Sequence, residues 1–199
     1  MNRFELVLAT ISLWMARVGG AALLGVAILT TVEVGMRAAR LQAPSIATEL
    51  ASYALAVGAT WALAYVVFER SHVRVDVLAQ RLPAPARGVL DALALASLAV
   101  VGAMLSFGAF GMVSTSLRLA SKSNTTLGMP LAWPQGAWLF GLLWFTFIAL
   151  YRTAQAVVAL VHRDFSEVSR IGSSPSADDE IEDAISETEG RIVAVESGR

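Results

Sequence analysis

Residues 17–37 read RVGGAALLGVAILTTVEVGMR. Between the flanking arginines only Glu33 can ionise, and the run has the ~20 apolar residues that a helix needs to cross a hydrocarbon core. Three further runs repeat the pattern, at roughly 45–68, 89–117 and 131–161. In lipid only helices or closed barrels satisfy every backbone group. These runs are rich in Leu, Ala, Val and Gly and lack the alternation of a barrel strand. The expected fold is therefore all-α, an integral membrane bundle of four transmembrane helices. The connections at 38–44, 69–88 and 120–130 are short, so neighbouring helices are expected to be antiparallel. If helical throughout, residues 87–119 rise about 50 Å, enough to force a tilt or a protrusion.

Composition agrees with a membrane protein. Of 199 residues, 56% are hydrophobic, too many for an ordinary soluble domain. The net charge of -1 gives no pull toward nucleic acid, and the lack of Cys excludes disulfides, thiolate metal sites and Cys nucleophiles. Residues 1–16 contain Arg3, Glu5 and Trp14 and precede an apolar run, 18–36, longer than a signal peptide's, so that run reads as an uncleaved first span. Phe4, Leu8, Ile11 and Met15 recur at helical spacing, which suits either an extension of helix one or a segment lying along the interface. Three segments follow: an amphipathic extension at 1–16, a transmembrane domain at 17–163 and a disordered acidic tail at 164–199. The tail holds Asp178, Asp179, Glu180, Glu182, Asp183, Glu187 and Glu189 with few large apolar residues, too little surface to offset the entropy of ordering.

Basic residues orient the bundle. Arg3, Arg17, Arg70, Arg74, Arg81, Arg87, Arg152, Arg163 and Arg170 fall on one side; Arg37, Arg40, Arg118 and Lys122 fall on the other. Nine against four predicts that both termini and the 69–88 loop are cytoplasmic.

Several constellations stand out. Glu33 and Arg37 share a helix face near the outer end, and Glu49 opens helix two on the same side. A charge at membrane depth costs ~3 kcal/mol unless paired, so an ion pair of Arg37 with Glu49, supported by Glu33, is expected; a proton or cation site at Glu33 is the functional alternative. Ala54, Gly58 and Ala62 on helix two, and Ala21 and Gly25 on helix one, form small faces that permit close helix packing. Helix four carries Phe140, Trp144, Phe147 and Tyr151 along one stripe, with Trp133 and Trp138 nearer its outer end, where an aromatic belt belongs. The stripe is either lipid-facing filler or a packing surface for another membrane protein. The 69–83 loop alternates charges with Val73, Val75 and Val77, as an amphipathic connector at headgroup level would.

That loop, with His72, Arg74, Asp76, Leu82 and Pro83, resembles the small permease subunit of tripartite ATP-independent periplasmic (TRAP) transporters, the DctQ type. So does the order of parts: Arg37 closing helix one, Thr48-Glu49 opening helix two, Leu90-Asp91 early in helix three, and Leu127-Gly128-Met129-Pro130-Leu131 before helix four. The resemblance covers about residues 18–162. It implies His72, Arg74, Asp76 and Pro83 as the family's inner-loop motif, and Gly128 and Pro130 as its outer-loop motif. It implies a non-catalytic subunit of the bacterial inner membrane. This subunit scaffolds a large multi-span permease subunit that carries Na⁺ and an organic acid or similar solute by an elevator motion. A periplasmic binding protein delivers the solute. The resemblance implies no cofactor on this chain, with Na⁺ held by the large partner. Two other classes compete. A stand-alone cation exporter would use Glu33. A redox subunit would need paired His ligands within the bundle, whereas His72 and His162 lie at helix ends.

Overall fold

The computed structural model describes residues 3–41, 46–69, 83–125, 127–162 and Ile185. Within them lie four helices: α1 (Arg3–Ala38), α2 (Ala47–Phe68), α3 (Ala84–Arg118) and α4 (Ala132–Val161). All four are long and apolar enough to cross a membrane. Among the described residues no strand forms, only an isolated bridge between Lys122 and Pro130. The 70–82 loop, with His72, Arg74 and Asp76, lies outside the described residues. So does the acidic tail apart from Ile185.

α1 is one unbroken helix because nothing between Arg3 and Ala38 is proline, so no backbone donor is lost. It absorbs the 3–16 segment and rises about 54 Å. Its buried face is Glu5, Leu8, Ser12, Met15 and Gly19, at alternating three- and four-residue steps. Of the four residues at helical spacing, Leu8 and Met15 lie on this face, and Phe4 and Ile11 lie beside it and are exposed. α3 starts where Pro83, extended at ψ 148°, gives way to a helix with Pro85 in its first turn, the place where a missing N–H does no harm.

α1 and α3 stop in the same way. Arg40 and Ala120 take positive φ, 57° and 47°. The next residue bonds back to close the turn, Leu41 N–H to Met36 O at 2.9 Å and Ser121 N–H to Ser116 O at 3.0 Å. These are Schellman-type ends with a side chain where glycine is usual.

α4 packs on α3 and on α2, and α2 packs on α1. The helices thus stand in the order α3, α4, α2, α1, with α1 and α3 at the margins. One core cluster joins Leu8, Ala64, Val67, Phe68, Phe145 and Ile148; a second joins Ala92, Leu95, Ala156 and Ala159. α1 and α2 cross at Gly19 and Gly58, where a Cβ on Gly19 would lie 2.8 Å from the Gly58 Cα. The small face of helix two is therefore used, but its counterpart on helix one is not Ala21 and Gly25. Ala21 is exposed and a Cβ at Gly25 would meet nothing within 4 Å. The inward face of α1 is fixed by Glu5, Ser12 and Gly19, which puts Ala21 and Gly25 off the contact line.

Candidate functional site

Polar groups gather at the two ends of the helices. At one end the last turns of α1 meet the start of α2 and the connection between α3 and α4. α2 has no side-chain cap of its own. Glu33, 6% exposed, fills that role from the neighbouring helix: its Oε2 accepts the Ala47 N–H at 2.9 Å. A carboxylate there also complements the positive end of the α2 dipole. Its other oxygen holds Arg37 in an ion pair one turn away.

Glu49, 8% exposed, is engaged differently. The Tyr53 hydroxyl donates to Oε1 at 2.6 Å and the Thr125 hydroxyl donates to Oε2. Ser123 and Thr125 hydroxyls lie 2.9 Å apart. The connection itself is a small hairpin, with Ser123 N–H on Met129 O at 2.8 Å and Leu131 N–H on Ser121 O at 3.0 Å. Gly128 turns it at φ 55°, a conformation that favours glycine. Glu49 is thus the anchor that holds the hairpin to α2. The expected Arg37–Glu49 pair is replaced by Arg37–Glu33, because Glu33 lies one turn away on the same helix and two hydroxyls engage Glu49.

At the opposite end α1 is tied to α4. Gln155 Nε2 donates to Glu5 Oε1 at 2.6 Å, and Arg152 Nη1 stands 3.8 Å from the same oxygen. Arg152 also donates to Gln155 Oε1 at 3.3 Å and lies over the Phe68 ring, 4.7 Å from its centroid. Higher on α1, Ser12 donates to Leu8 O and accepts the Trp144 indole N–H at 3.0 Å. Sequence reasoning missed Glu5, Ser12, Arg152 and Gln155. Their partners stand more than 130 positions away along the chain, and spacing within one helix carries no trace of such pairs.

The aromatic stripe on α4 divides. Trp144 is half-buried against α1, and Tyr151 meets Phe4 edge to face at 5.7 Å. Phe140 and Phe147 stay 52% and 45% exposed, and with exposed Leu143 and Leu150 they form a seam at three- and four-residue steps. The expected four-residue partner surface is therefore half consumed inside the chain. Of the motif residues, Pro83 begins α3, Gly128 turns the hairpin and Pro130 carries its bridge to Lys122.

The buried hydroxyls between the two ends are bonded within the bundle. Thr60 donates to Ala56 O, Thr146 donates to Leu142 O, and Ser106 meets Thr146 at 3.0 Å. Among the described residues no three His, Asp or Glu side chains gather as a metal-binding group.

No curated protein and no solved structure matches the chain. A family model does, over residues 26–159, and its description is "Tripartite ATP-independent periplasmic transporters, DctQ component".

Proposed function

Because the chain belongs to the DctQ component family of tripartite ATP-independent periplasmic transporters, we propose that it is a non-catalytic scaffold for a larger, Na⁺-coupled permease subunit. The complex imports an organic acid or similar solute delivered by a periplasmic binding protein. The observation that carries this reading is the extent of the match, which takes in all of α2 and α3, nearly all of α4 and the last third of α1.

The distribution of polar groups supports it. A self-sufficient transporter places ionisable groups or broken helices near the membrane midplane. Here the helices are continuous, and the buried hydroxyls of Ser12, Thr60, Ser106 and Thr146 are occupied by helix carbonyls, by each other or by Trp144. Glu33, the residue an exporter would need, accepts from Arg37 and from the α2 backbone. The contacts at both ends also support an antiparallel order of the helices. With the basic bias they favour cytoplasmic termini in a bacterial inner membrane.

Reconstitution tests the proposal. Liposomes holding this chain alone should take up no solute. Adding the large subunit and a loaded binding protein should give uptake that depends on an inward Na⁺ gradient. Gradient-driven transport by the isolated chain would overturn it.

A further inference from the structure

A furrow of about 620 Å³ runs along the outer half of the α1–α2 pair. Leu23, Val26, Thr30 and Val34 line one wall and Ala51 and Leu55 the other. The walls offer no spare donor, since the hydroxyls of Thr30 and Thr31 both bond back to their own helix, to Val26 O and Ala27 O at 2.8 Å. From Leu23 to Val34 the furrow is about 16 Å long at 1.5 Å per residue. One leaflet of hydrocarbon is about 15 Å, half of a 30 Å core. The stripe that lines it continues at helical spacing to Arg37, whose side chain is 55% exposed. Arg40, exposed, closes the same helix. The apolar length therefore ends at the Arg37–Glu33 ion pair and at the Arg40 cation beyond it.

We infer that the furrow is a site for one anionic phospholipid of the outer leaflet, its acyl chain lying between α1 and α2 and its phosphate at Arg40, beside the Arg37–Glu33 pair. The length, the saturated hydroxyls and the position of the cations all fit a lipid. A partner helix would match the apolar walls but has no need of charge at their upper end. The site is independent of the transport reading, because it rests on this chain alone; only its assignment to the outer leaflet rests on the topology proposed above.

The test uses the full chain, purified in mild detergent after exchange into vesicles of mixed phosphatidylglycerol and phosphatidylcholine, and weighed by native mass spectrometry. One phosphatidylglycerol per chain is expected to survive. Filling the furrow with Ala27→Phe and Ala51→Phe should remove it. Arg40→Gln should lower retention about fivefold, the factor that one basic residue contributes beside an anionic headgroup. If the filled variant does not elute as a folded protein, Ala51→Leu narrows the furrow from α2 alone and carries the same expectation. Equal retention of both lipids, or retention unchanged in the furrow variants, overturns the proposal. So does loss of the large subunit, rather than of lipid, when the furrow is filled.

Discussion

At Glu49 two hydroxyls from different parts of the chain meet one buried carboxylate, and the expected energetics follow from that geometry. Removing a hydroxyl partner leaves the Glu49 carboxylate with an unmet bond, whereas the exposed Thr125 hydroxyl can turn to solvent. Glu49→Gln and Thr125→Val should each lower the thermal midpoint in detergent, and the double variant should fall short of their sum, because both remove one contact. Arg37→Ala combined with Glu49→Gln should instead be additive within about 0.5 kcal/mol. Strong coupling between Arg37 and Glu49, measured in the same cycle, would restore the pairing that charge and proximity along the chain suggest. Residue chemistry alone could not choose between them. It identified three charged groups at one end, but the hydroxyl of Thr125 comes from a hairpin 76 positions away.

Among the helices, α1 and α4 each have a face that sequence periodicity leaves ambiguous. On α1 the contact with α2 passes through Gly19, not Gly25. Gly19→Ala should therefore push α1 from α2 and lower stability by about 1–3 kcal/mol, the usual range for overpacking. Gly25→Ala should be neutral or better. Comparing their unfolding midpoints decides which face is inward; a reversed order would rotate the helix. On α4 the exposed seam of Phe140, Leu143, Phe147 and Leu150 is the face left for a neighbour in the membrane. Lipid tails already solvate those rings, so a partner gains from packing rather than from hydrophobic transfer. Leu143→Ala with Phe147→Ala should weaken co-purification of the large subunit while the small one stays folded. Trp144→Ala should chiefly loosen α1 from α4. Unchanged assembly in the seam variant would move the interface to another helix.

For the molecule as a whole, charge bias predicts a topology that chemistry can read directly, since the chain has no native Cys. Asn124→Cys, in the exposed hairpin, should react with an impermeant thiol reagent in intact cells, and Ser173→Cys should not; the opposite pattern inverts the protein. The number and rough extent of the helices were legible because ~20 consecutive apolar residues admit few other folds. The family was legible from the His72–Pro83 loop together with Arg37, Glu49, Asp91 and the Gly128–Pro130 segment taken in order. What stayed hidden was the joining of helices: Gly19 against Gly58, Glu33 capping α2, Glu5 against Arg152 and Gln155. Those contacts depend on the rotation and depth of each helix, which lipid leaves nearly degenerate for an apolar surface. The tie between Glu5 and Gln155 spans 150 positions, and this has a consequence for biogenesis. Helix one enters the membrane early, yet its α4 partners do not exist until the ribosome has made most of the chain, roughly 7–30 s later at ordinary elongation rates. During that interval Glu5 and Ser12 lack their α4 ligands. A nascent chain that stalls before residue 132 therefore displays an unfinished polar face on α1.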